Sequence, residues 1–231
     1  SIAGNPPSAQ ITDWDWSFNN NNDSVVYNTY NACGNYTESL IVTDGYNCKD
    51  TITKTITVFC NPTALFNVNA ECFDDEEQPI EFNDASTNGS APINYWLWTI
   101  TGAGDYVNPY DSLDPFTQYH FADCGPQPFT LYVKDTNDCY DSQSGSVNVW
   151  CEPTAEFNAD PVCFNETTIF QDLSIPNSSI TSWNWNFGDG NTSAQQNPTH
   201  DYLSCDSFTV RLFIEDINGC NDTIEKTVAV W

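Results

Sequence analysis

The cysteines are the feature of this sequence that most restricts its fold. The chain of 231 residues contains ten cysteines and two histidines, and it has no Cys-x-x-Cys pair. The cysteine spacings are 15, 12 and 12 residues, then a long gap, 15, 12 and 12 again, a second gap, and 15. A pattern this regular indicates an internal repeat. Without metal-ligand spacing, so many cysteines favour disulfides formed in an oxidising compartment.

The residues around the cysteines repeat as well. The matching segments are 63–67 with 154–158, 82–86 with 170–174, and the tryptophan pairs Trp14/Trp16, Trp96/Trp98 and Trp183/Trp185. The repeat predicts three units. They are a partial module at 1–60 that lacks its first strands, a divergent module at 61–151 with an insertion near 101–115, and a complete module at 152–231.

Each unit has the pattern of short antiparallel strands. In the third unit, residues 208–214 alternate between apolar and polar side chains, residues 216–219 have turn composition, and residues 223–230 alternate again, which predicts a hairpin. No segment has helical periodicity. About seven such strands in 80–90 residues are typical of an immunoglobulin-like β-sandwich. The predicted fold is therefore all-β, with tandem sandwiches arranged in a rod.

The third unit resembles the PKD (polycystic kidney disease) domain family. The resemblance is carried by Trp-Asn-Phe-Gly-Asp-Gly at 185–190, by Asn-Pro-Thr-His-Asp-Tyr at 197–202, and by the Val-containing strand that follows. The second unit departs from the pattern at Trp98-Thr99-Ile100, and the first keeps only Trp16-Ser17-Phe18 of the turn motif. The resemblance implies a seven-stranded extracellular sandwich with no conserved catalytic set. Such modules occur in adhesins, in stalks and beside secreted proteases and chitinases, and Cys-containing tandem copies resemble large surface proteins of Bacteroidetes-type bacteria.

The charge of the chain excludes some partners. Thirty-two acidic residues against five basic ones give a net charge of −27. Because phosphate neutralisation requires clustered Lys and Arg, nucleic acid and anionic membrane surfaces are not expected partners. No apolar run reaches the roughly eighteen residues of a membrane span, so membrane insertion is not expected either. An acidic surface instead suits divalent cations, salty surroundings or solubility.

Three carboxylates are candidate metal ligands. Asp84 and Asp172 occupy matching positions after the second strand of their units, and Asp189 lies in a turn. Because these aspartates lie beside loops, they are candidates to share a Ca²⁺ ion at a module edge. The acidic run at 74–77 is more typical of a solvated loop. No nucleophile or acid–base motif is recognisable, so no catalytic residue and no cofactor other than this Ca²⁺ is predicted.

The tryptophan pairs have two interpretations. Exposed indoles would offer stacking platforms for a sugar. However, Trp183, Trp185 and Phe187 are two residues apart, so they share one face of a strand, and in a sandwich that face is the core. Core packing is therefore the prediction.

The ends of the predicted strands restrict which cysteines can pair. Cys205 opens a strand and Cys220 ends the following turn, so their Cα atoms should lie beyond the roughly 7 Å limit for a bond. Pairing instead cysteines that share a sandwich end, or that join a linker to the next turn, predicts the bonds Cys72–Cys124, Cys163–Cys205, Cys60–Cys139 and Cys151–Cys220. Cys33 and Cys48 remain unpaired in this scheme. They predict either a window cut from a longer array or a first unit completed by another copy.

Three hypotheses on function follow. The first is a stiff, disulfide-stapled repeat of a large extracellular adhesin or filament, whose partners are neighbouring repeats or copies of the same protein. The second is a set of accessory modules that bind carbohydrate or protein beside a secreted hydrolase, with a surface glycan or protein as ligand. The third is an enzyme, which the absence of catalytic motifs disfavours. An extracellular or cell-surface location is expected in either of the first two cases. Seven Asn-x-Ser/Thr sequences also make a glycoprotein possible.

Overall fold

The computed structural model describes residues 10–18, 22–73, 79–107 and 113–231. Every regular element in these ranges is a β-strand, which confirms the all-β prediction. No helix in the same ranges is long and apolar enough to cross a bilayer. The chain forms two compact units. One contains the residues up to Thr63 with 86–94 and 133–141, and the other contains 64–85, 95–132 and 142–231.

The first sheet has three antiparallel strands in the order β1-β2-β3. These strands are β1 (Ile11–Trp16), β2 (Gly34–Asp44) and β3 (Lys49–Val58). Ten consecutive residue pairs join β2 to β3, from Gly34 with Val58 to Thr43 with Lys49, so these two strands form one long hairpin.

The middle of the chain contributes two four-stranded sheets, in the orders β4-β6-β9-β8 and β5-β11-β10-β7. Their strands are β4 (Phe66–Val68), β5 (Glu71–Cys72), β6 (Ile80–Asp84), β7 (Ile93–Ile100), β8 (Gly104–Tyr106), β9 (Phe116–Phe121), β10 (Gly125–Asp135) and β11 (Tyr140–Trp150). Strand β8 lies in the predicted insertion, of which residues 108–112 are outside the described ranges.

The last part of the chain forms a three-stranded and a four-stranded sheet, in the orders β12-β13-β16 and β15-β14-β17-β18. The strands are β12 (Phe157–Ala159), β13 (Thr168–Asp172), β14 (Ile180–Asn186), β15 (Thr192–Ser193), β16 (Thr199–His200), β17 (Asp206–Asp216) and β18 (Asn221–Val230). Strands β17 and β18 are the hairpin that the alternating residues predicted, and they pair from Asp206 with Val230 to Glu215 with Asn221.

The core of this last part is built by alternation along its strands. Val210, Leu212 and Ile214 on β17 are fully buried because every second side chain faces inward. Trp185 receives the rings of Phe157 and Phe170 from the opposing sheet, at centroid distances of 5.2 and 5.4 Å. Trp185 is 0% exposed, so it packs in the core as predicted.

The middle part of the chain repeats this aromatic packing. Trp98 is buried against Phe82 and Phe66, with ring centroids 5.7 and 6.4 Å apart. A Cβ atom at Gly145 would lie only 2.5 Å from Cζ of Phe66, so the close approach of this ring to β11 requires glycine there.

In the first sheet, the residues that correspond to this core are less buried. Trp16 pairs with Leu40 just as Trp185 pairs with Leu212, yet Trp16 and Leu40 are only partly buried. A groove of about 380 Å³ runs over this face, and Ile52 in its wall is 66% exposed. Strands β1, β2 and β3 form one sheet in the described part of residues 10–60, and the division that makes this stretch a partial module remains a prediction.

The buried tryptophan of the last repeat makes the core testable. We expect Trp185→Ala to lower the free energy of unfolding by about 3–5 kcal/mol, because it removes a large side chain that lies between two phenylalanines. Trp231→Ala, at a position 73% exposed, is the matched control and should change it by less than about 0.5 kcal/mol. Urea denaturation followed by circular dichroism measures both. Equal effects of the two substitutions would contradict the assigned core.

Candidate functional site: the hairpin turns and disulfide bonds

The turn between β17 and β18 is closed by one carboxylate. Oδ1 of Asp216 accepts the backbone N–H groups of Asn218 and Cys220, at 2.8 and 2.9 Å. The N–H of Asp216 donates to the carbonyl of Cys220, at 2.8 Å, and Gly219 takes a φ of 87°, which suits glycine. Asp216 is 2% exposed, so these bonds compensate part of the cost of burying its carboxylate. The turn therefore holds Cys220 in a fixed position.

The same turn closes the other two long hairpins. Oδ1 of Asp44 accepts the N–H of Cys48 at 2.9 Å, and Oδ1 of Asp135 accepts that of Cys139 at 3.0 Å. Each aspartate also donates its own N–H to the carbonyl of that cysteine, at 3.0 and 2.9 Å. The sequence signal is an aspartate four residues before a cysteine at the end of an apolar strand.

Two disulfides close the open ends of hairpins. Cys33, just before β2, bonds to Cys60, just after β3, with Cα atoms 5.0 Å apart. Cys124, just before β10, bonds to Cys151, just after β11, with Cα atoms 5.1 Å apart. Both pairs are separated by 27 residues in sequence. These two hairpins are thus fixed by an aspartate at the turn and by a disulfide at the open end.

A third disulfide joins the second predicted repeat to the third. Cys72 bonds to Cys220, 148 residues away, with Cα atoms 5.5 Å apart. Cys72 ends the short strand β5, which lies parallel to the last residues of β11, with Cys72 beside Trp150. The N–H of Phe73 donates to the carbonyl of Trp150 at 2.7 Å and fixes this strand in place. Cys220 is 0% exposed, so the bond is shielded from solvent at that end.

The predicted pairing differs from this arrangement and is corrected by it. None of the pairs Cys72–Cys124, Cys163–Cys205, Cys60–Cys139 and Cys151–Cys220 is present. Cys33, predicted to be unpaired, is bonded, whereas Cys48 is free. The other free cysteines are Cys139, which is partly buried, and Cys163 and Cys205, which are exposed.

The prediction failed because it compared the two ends of a single strand. In an antiparallel hairpin, the residue before the first strand and the residue after the second lie side by side. This places Cys124 beside Cys151, and the shared 27-residue separation was a signal that could have revealed it. The position of Cys72 depends on the contact of β5 with β11, which no local pattern indicates.

The carboxylates predicted as metal ligands bind protein donors. Oδ2 of Asp84 accepts the indole N–H of Trp96 at 2.9 Å, and Oδ2 of Asp172 accepts that of Trp183 at 2.8 Å. Asp172 also accepts the N–H of Ser174 at 3.0 Å. The two aspartates thus occupy equivalent positions, as predicted. Each accepts the indole N–H of the first tryptophan of its pair, Trp96 or Trp183.

Asp189 has protein partners as well. It accepts the N–H and side-chain amide of Asn191, both at 3.0 Å, and its Oδ2 lies 2.7 Å from Nε2 of His200, whose ring stacks on Phe187. In the described residues, no group of three or more His, Cys, Asp or Glu side chains is placed to hold a metal ion. The acidic run at 74–77 lies outside those residues.

The hydrogen bonds change the acidity of two of these aspartates. Burial alone would raise the pKa of Asp172, but donation by Ser174, Gln196 and Trp183 outweighs it and holds the pKa below its ordinary value of 3.8. For Asp189, burial is likewise outweighed by Asn191 and His200, and its pKa is also lowered. Both carboxylates therefore stabilise the fold in their charged form.

A pH dependence of stability follows from these shifts. Because the folded-state pKa of Asp172 is depressed, its contribution is complete well above 3.8 and is lost as the pH falls through the folded-state pKa. Asp172→Asn should reduce stability by about 1–2 kcal/mol at pH 7, since the amide NH₂ replaces an acceptor. The stability difference from wild type should shrink between pH 5 and 2. Thermal unfolding across this pH range measures it, with exposed Asp201→Asn as the control; a difference independent of pH would contradict the assignment.

Comparison with known proteins supports a family for the end of the chain. The family model of the PKD domain matches residues 150–230. A microbial collagenase from Vibrio alginolyticus is 44% identical over 55 residues, which make up 24% of this chain and 7% of the collagenase. The chain therefore corresponds to a small part of that relative.

Two solved structures are similar to the chain. The PKD1 domain of the Vibrio cholerae metalloprotease PrtV is 31% identical, with a TM-score of 0.32, over 34% of this chain and 96% of that domain. The N-terminal eight immunoglobulin domains of Down Syndrome Cell Adhesion Molecule align with 96% of this chain and 33% of theirs, at 11% identity and a TM-score of 0.52. The second likeness concerns the fold alone and agrees with tandem immunoglobulin-like sandwiches. Together with the family match, the Trp-x-Phe-Gly-Asp-Gly segment and the buried core identify residues 150–230 as a PKD domain.

Proposed function

We propose that this chain is a non-catalytic spacer of an extracellular protein, in which disulfides restrict movement between consecutive repeats. The observation that carries the proposal is the bond between Cys72 and Cys220, which links the second predicted repeat to the third. A bond inside one module stabilises that module only. A bond between two modules limits how they rotate about their linker, which is what a stiff spacer requires.

The attachment points of this bond support the same role. Cys220 is held by the buried carboxylate of Asp216 at the tip of an eleven- and ten-residue hairpin. Cys72 is held on β5 by the hydrogen bond from Phe73 to Trp150. Because neither sulfur is on a loose loop, the restraint acts directly on the two sheets rather than on a flexible segment between them.

The disulfides and the charge suit an extracellular location. Structural disulfides persist in oxidising compartments, and three of them are present here. The net charge of −27 keeps such a surface hydrated and opposes non-specific association at low salt. We propose neighbouring repeats or copies of the same protein as the partners of this surface.

A second candidate function rests on the collagenase similarity. Accessory modules beside a secreted hydrolase would bind its polymeric substrate, and the collagenase shares 44% identity over 55 residues. The exposed indole of Trp231, 73% accessible, is the side chain best placed for such a contact within the PKD-type repeat. Retention of the chain on insoluble collagen, lost in Trp231→Ala, would favour this function over the spacer.

The spacer function predicts a specific change in solution behaviour. Replacing Cys72 and Cys220 together by serine should broaden the distribution of maximum dimensions measured by small-angle X-ray scattering, because the repeats then move about their linker. The β-sheet content in circular dichroism should stay unchanged. Thermal stability should fall by the equivalent of about 2–4 kcal/mol, the usual contribution of one disulfide.

The matched control removes a bond inside one hairpin. Replacing Cys124 and Cys151 by serine opens the base of the β10–β11 hairpin but leaves the bond between repeats in place. It should therefore lower stability without broadening the distribution. If the Cys72/Cys220 variant scatters like the wild type, the spacer function is wrong.

A further inference from the structure

The bond between Cys72 and Cys220 shows what one repeat of this chain offers to the next. On one side is a cysteine on the short strand beside the end of a long hairpin, with Trp150 next to it. On the other side is the cysteine of an aspartate-closed turn. The first half occurs once more in the chain, at Cys163, and the second half twice more, at Cys48 and Cys139, each time with a free thiol.

Cys163 repeats the first half. Val162, one residue before it, forms a parallel bridge with Val230, as β5 does with the end of β11. The N–H of Phe164 donates to the carbonyl of Trp231 at 2.7 Å, which is the bond and the distance found between Phe73 and Trp150. The backbone around Cys163 therefore has the form that carries a disulfide at Cys72.

The side chains around Cys163 are more exposed than their counterparts. Phe164 is 40% exposed and Trp231 73% exposed, whereas Phe73 and Trp150, at the occupied junction, are partly buried. Beside Trp231 lies a groove of about 370 Å³ that is also lined by Cys205 and Val230. The side chains at the free position are thus more accessible than their counterparts at the bonded one.

Cys48 repeats the second half of the junction. Its N–H donates to Oδ1 of Asp44 at 2.9 Å, and its carbonyl accepts the N–H of Asp44 at 3.0 Å. For Cys220 and Asp216 the same two distances are 2.9 and 2.8 Å. The thiol of Cys48 therefore lies on a turn of the same form as the turn that carries Cys220. Cys48 is exposed, so this thiol is accessible to a partner.

We propose that Cys163 of one copy of this chain forms a disulfide with Cys48 of a second copy, with the Asp44–Cys48 turn docked against Phe164 and Trp231. The contact uses different surfaces on the two copies, so it is heterologous and each copy keeps one half free for a further copy. The proposal rests on the spacer function above, of which it names the next partner.

The bond forms by oxidation of two thiols. Cys48 and Cys163 lose two protons and two electrons as one S–S bond is made. A disulfide reagent such as oxidised glutathione accepts them by thiol–disulfide exchange and is released as two thiols. The chemistry is that of the three bonds already present in the chain.

The other free cysteines fit this junction less well. Partial burial raises the pKa of the Cys139 thiol, and the carboxylates of Asp135 and Asp138 raise it further, so less of the reactive thiolate is present. Cys205 directly precedes β17, just as Cys33 precedes β2 and Cys124 precedes β10. It therefore occupies the position of a hairpin-closing cysteine and not the position of Cys72.

Charge determines the conditions for the test. Two copies with a net charge of −27 each repel one another, and salt shortens the range of this repulsion to about 3 Å at 1 M. Disulfide formation between copies should therefore be faster in 0.5 M than in 0.05 M NaCl. A junction driven by opposite charges would show the reverse dependence and would contradict the docking surface.

The experiment is oxidation of the purified 231-residue chain with glutathione buffer in 0.5 M NaCl, followed by non-reducing electrophoresis and peptide mapping. We expect a ladder of covalent multimers with a Cys48–Cys163 linkage. Cys48→Ser and Cys163→Ser should each abolish the ladder, and a mixture of these two variants should give a dimer and nothing larger. Cys139→Ser and Cys205→Ser should retain the ladder.

A second pair of variants tests the docking surface without touching a thiol. Phe164→Ser should slow dimer formation about tenfold, since it removes an apolar contact of the junction. Leu203→Ser, at a position that is 88% exposed and outside the proposed junction, should leave the rate unchanged. Equal rates for both variants would overturn the docking surface.

The outcomes against the proposal are distinct. Dimers of Cys48→Ser alone or of Cys163→Ser alone would mean symmetric bonds, and a Cys48–Cys163 bond within one copy would mean no assembly. Either result overturns the proposal. If no multimer forms while the scattering comparison of the Cys72/Cys220 variant succeeds, the spacer function stands and this inference fails.

Discussion

The fold depends on the way a single aspartate closes each long hairpin. In the second and third hairpins, the carboxylates of Asp135 and Asp216 are almost fully buried, and one oxygen of each accepts two backbone N–H groups of the turn. Burial makes losing these bonds costly, because the N–H groups of the turn would be left without a partner. The aspartate therefore fixes the turn and, with it, the cysteine four residues later. Without this constraint, the position of that thiol would vary with the loop.

The bond between the second and third predicted repeats is a consequence of that rigidity. Cys220 reaches Cys72 only because the turn presents it at the tip of a hairpin that is itself part of a packed core. In the β10–β11 hairpin, the disulfide between Cys124 and Cys151 closes the end opposite to the turn. The turn, the core contacts and the disulfides thus all restrict the position of a long hairpin. This explains why the cysteines recur at constant spacing while much of the remaining sequence has diverged between the repeats.

Local patterns in the sequence predicted the elements but not their contacts. Alternation over residues 208–214 and 223–230 identified the strands β17 and β18, and the spacing of Trp183, Trp185 and Phe187 placed Trp185 in the core. The repeat pattern singled out Asp172 as a candidate metal ligand, but its carboxylate accepts the indole N–H of Trp183. The sequence could not predict this contact because it depends on the rotamers of two side chains. The bond of Cys72 was mispredicted because strand β5 runs beside β11 through residues 78 positions apart in sequence, a contact that no local pattern indicates. The two hairpin-closing bonds were mispredicted because the two ends of one strand were compared instead of the open end of the hairpin. The division into three repeats remains a prediction.

The most direct test of the account is the identity of the cysteine bonded to Cys220 in the unreduced protein. Trypsin cleavage after Arg211 and Lys226 releases a peptide in which Cys220 is the single cysteine. Further digestion with a protease that cleaves at aspartate and glutamate places the other cysteines on separate peptides, so that mass spectrometry can identify the one bonded to Cys220. This peptide should be linked to the one containing Cys72. Linkage of Cys220 to Cys151, or a free Cys220 thiol, would contradict it.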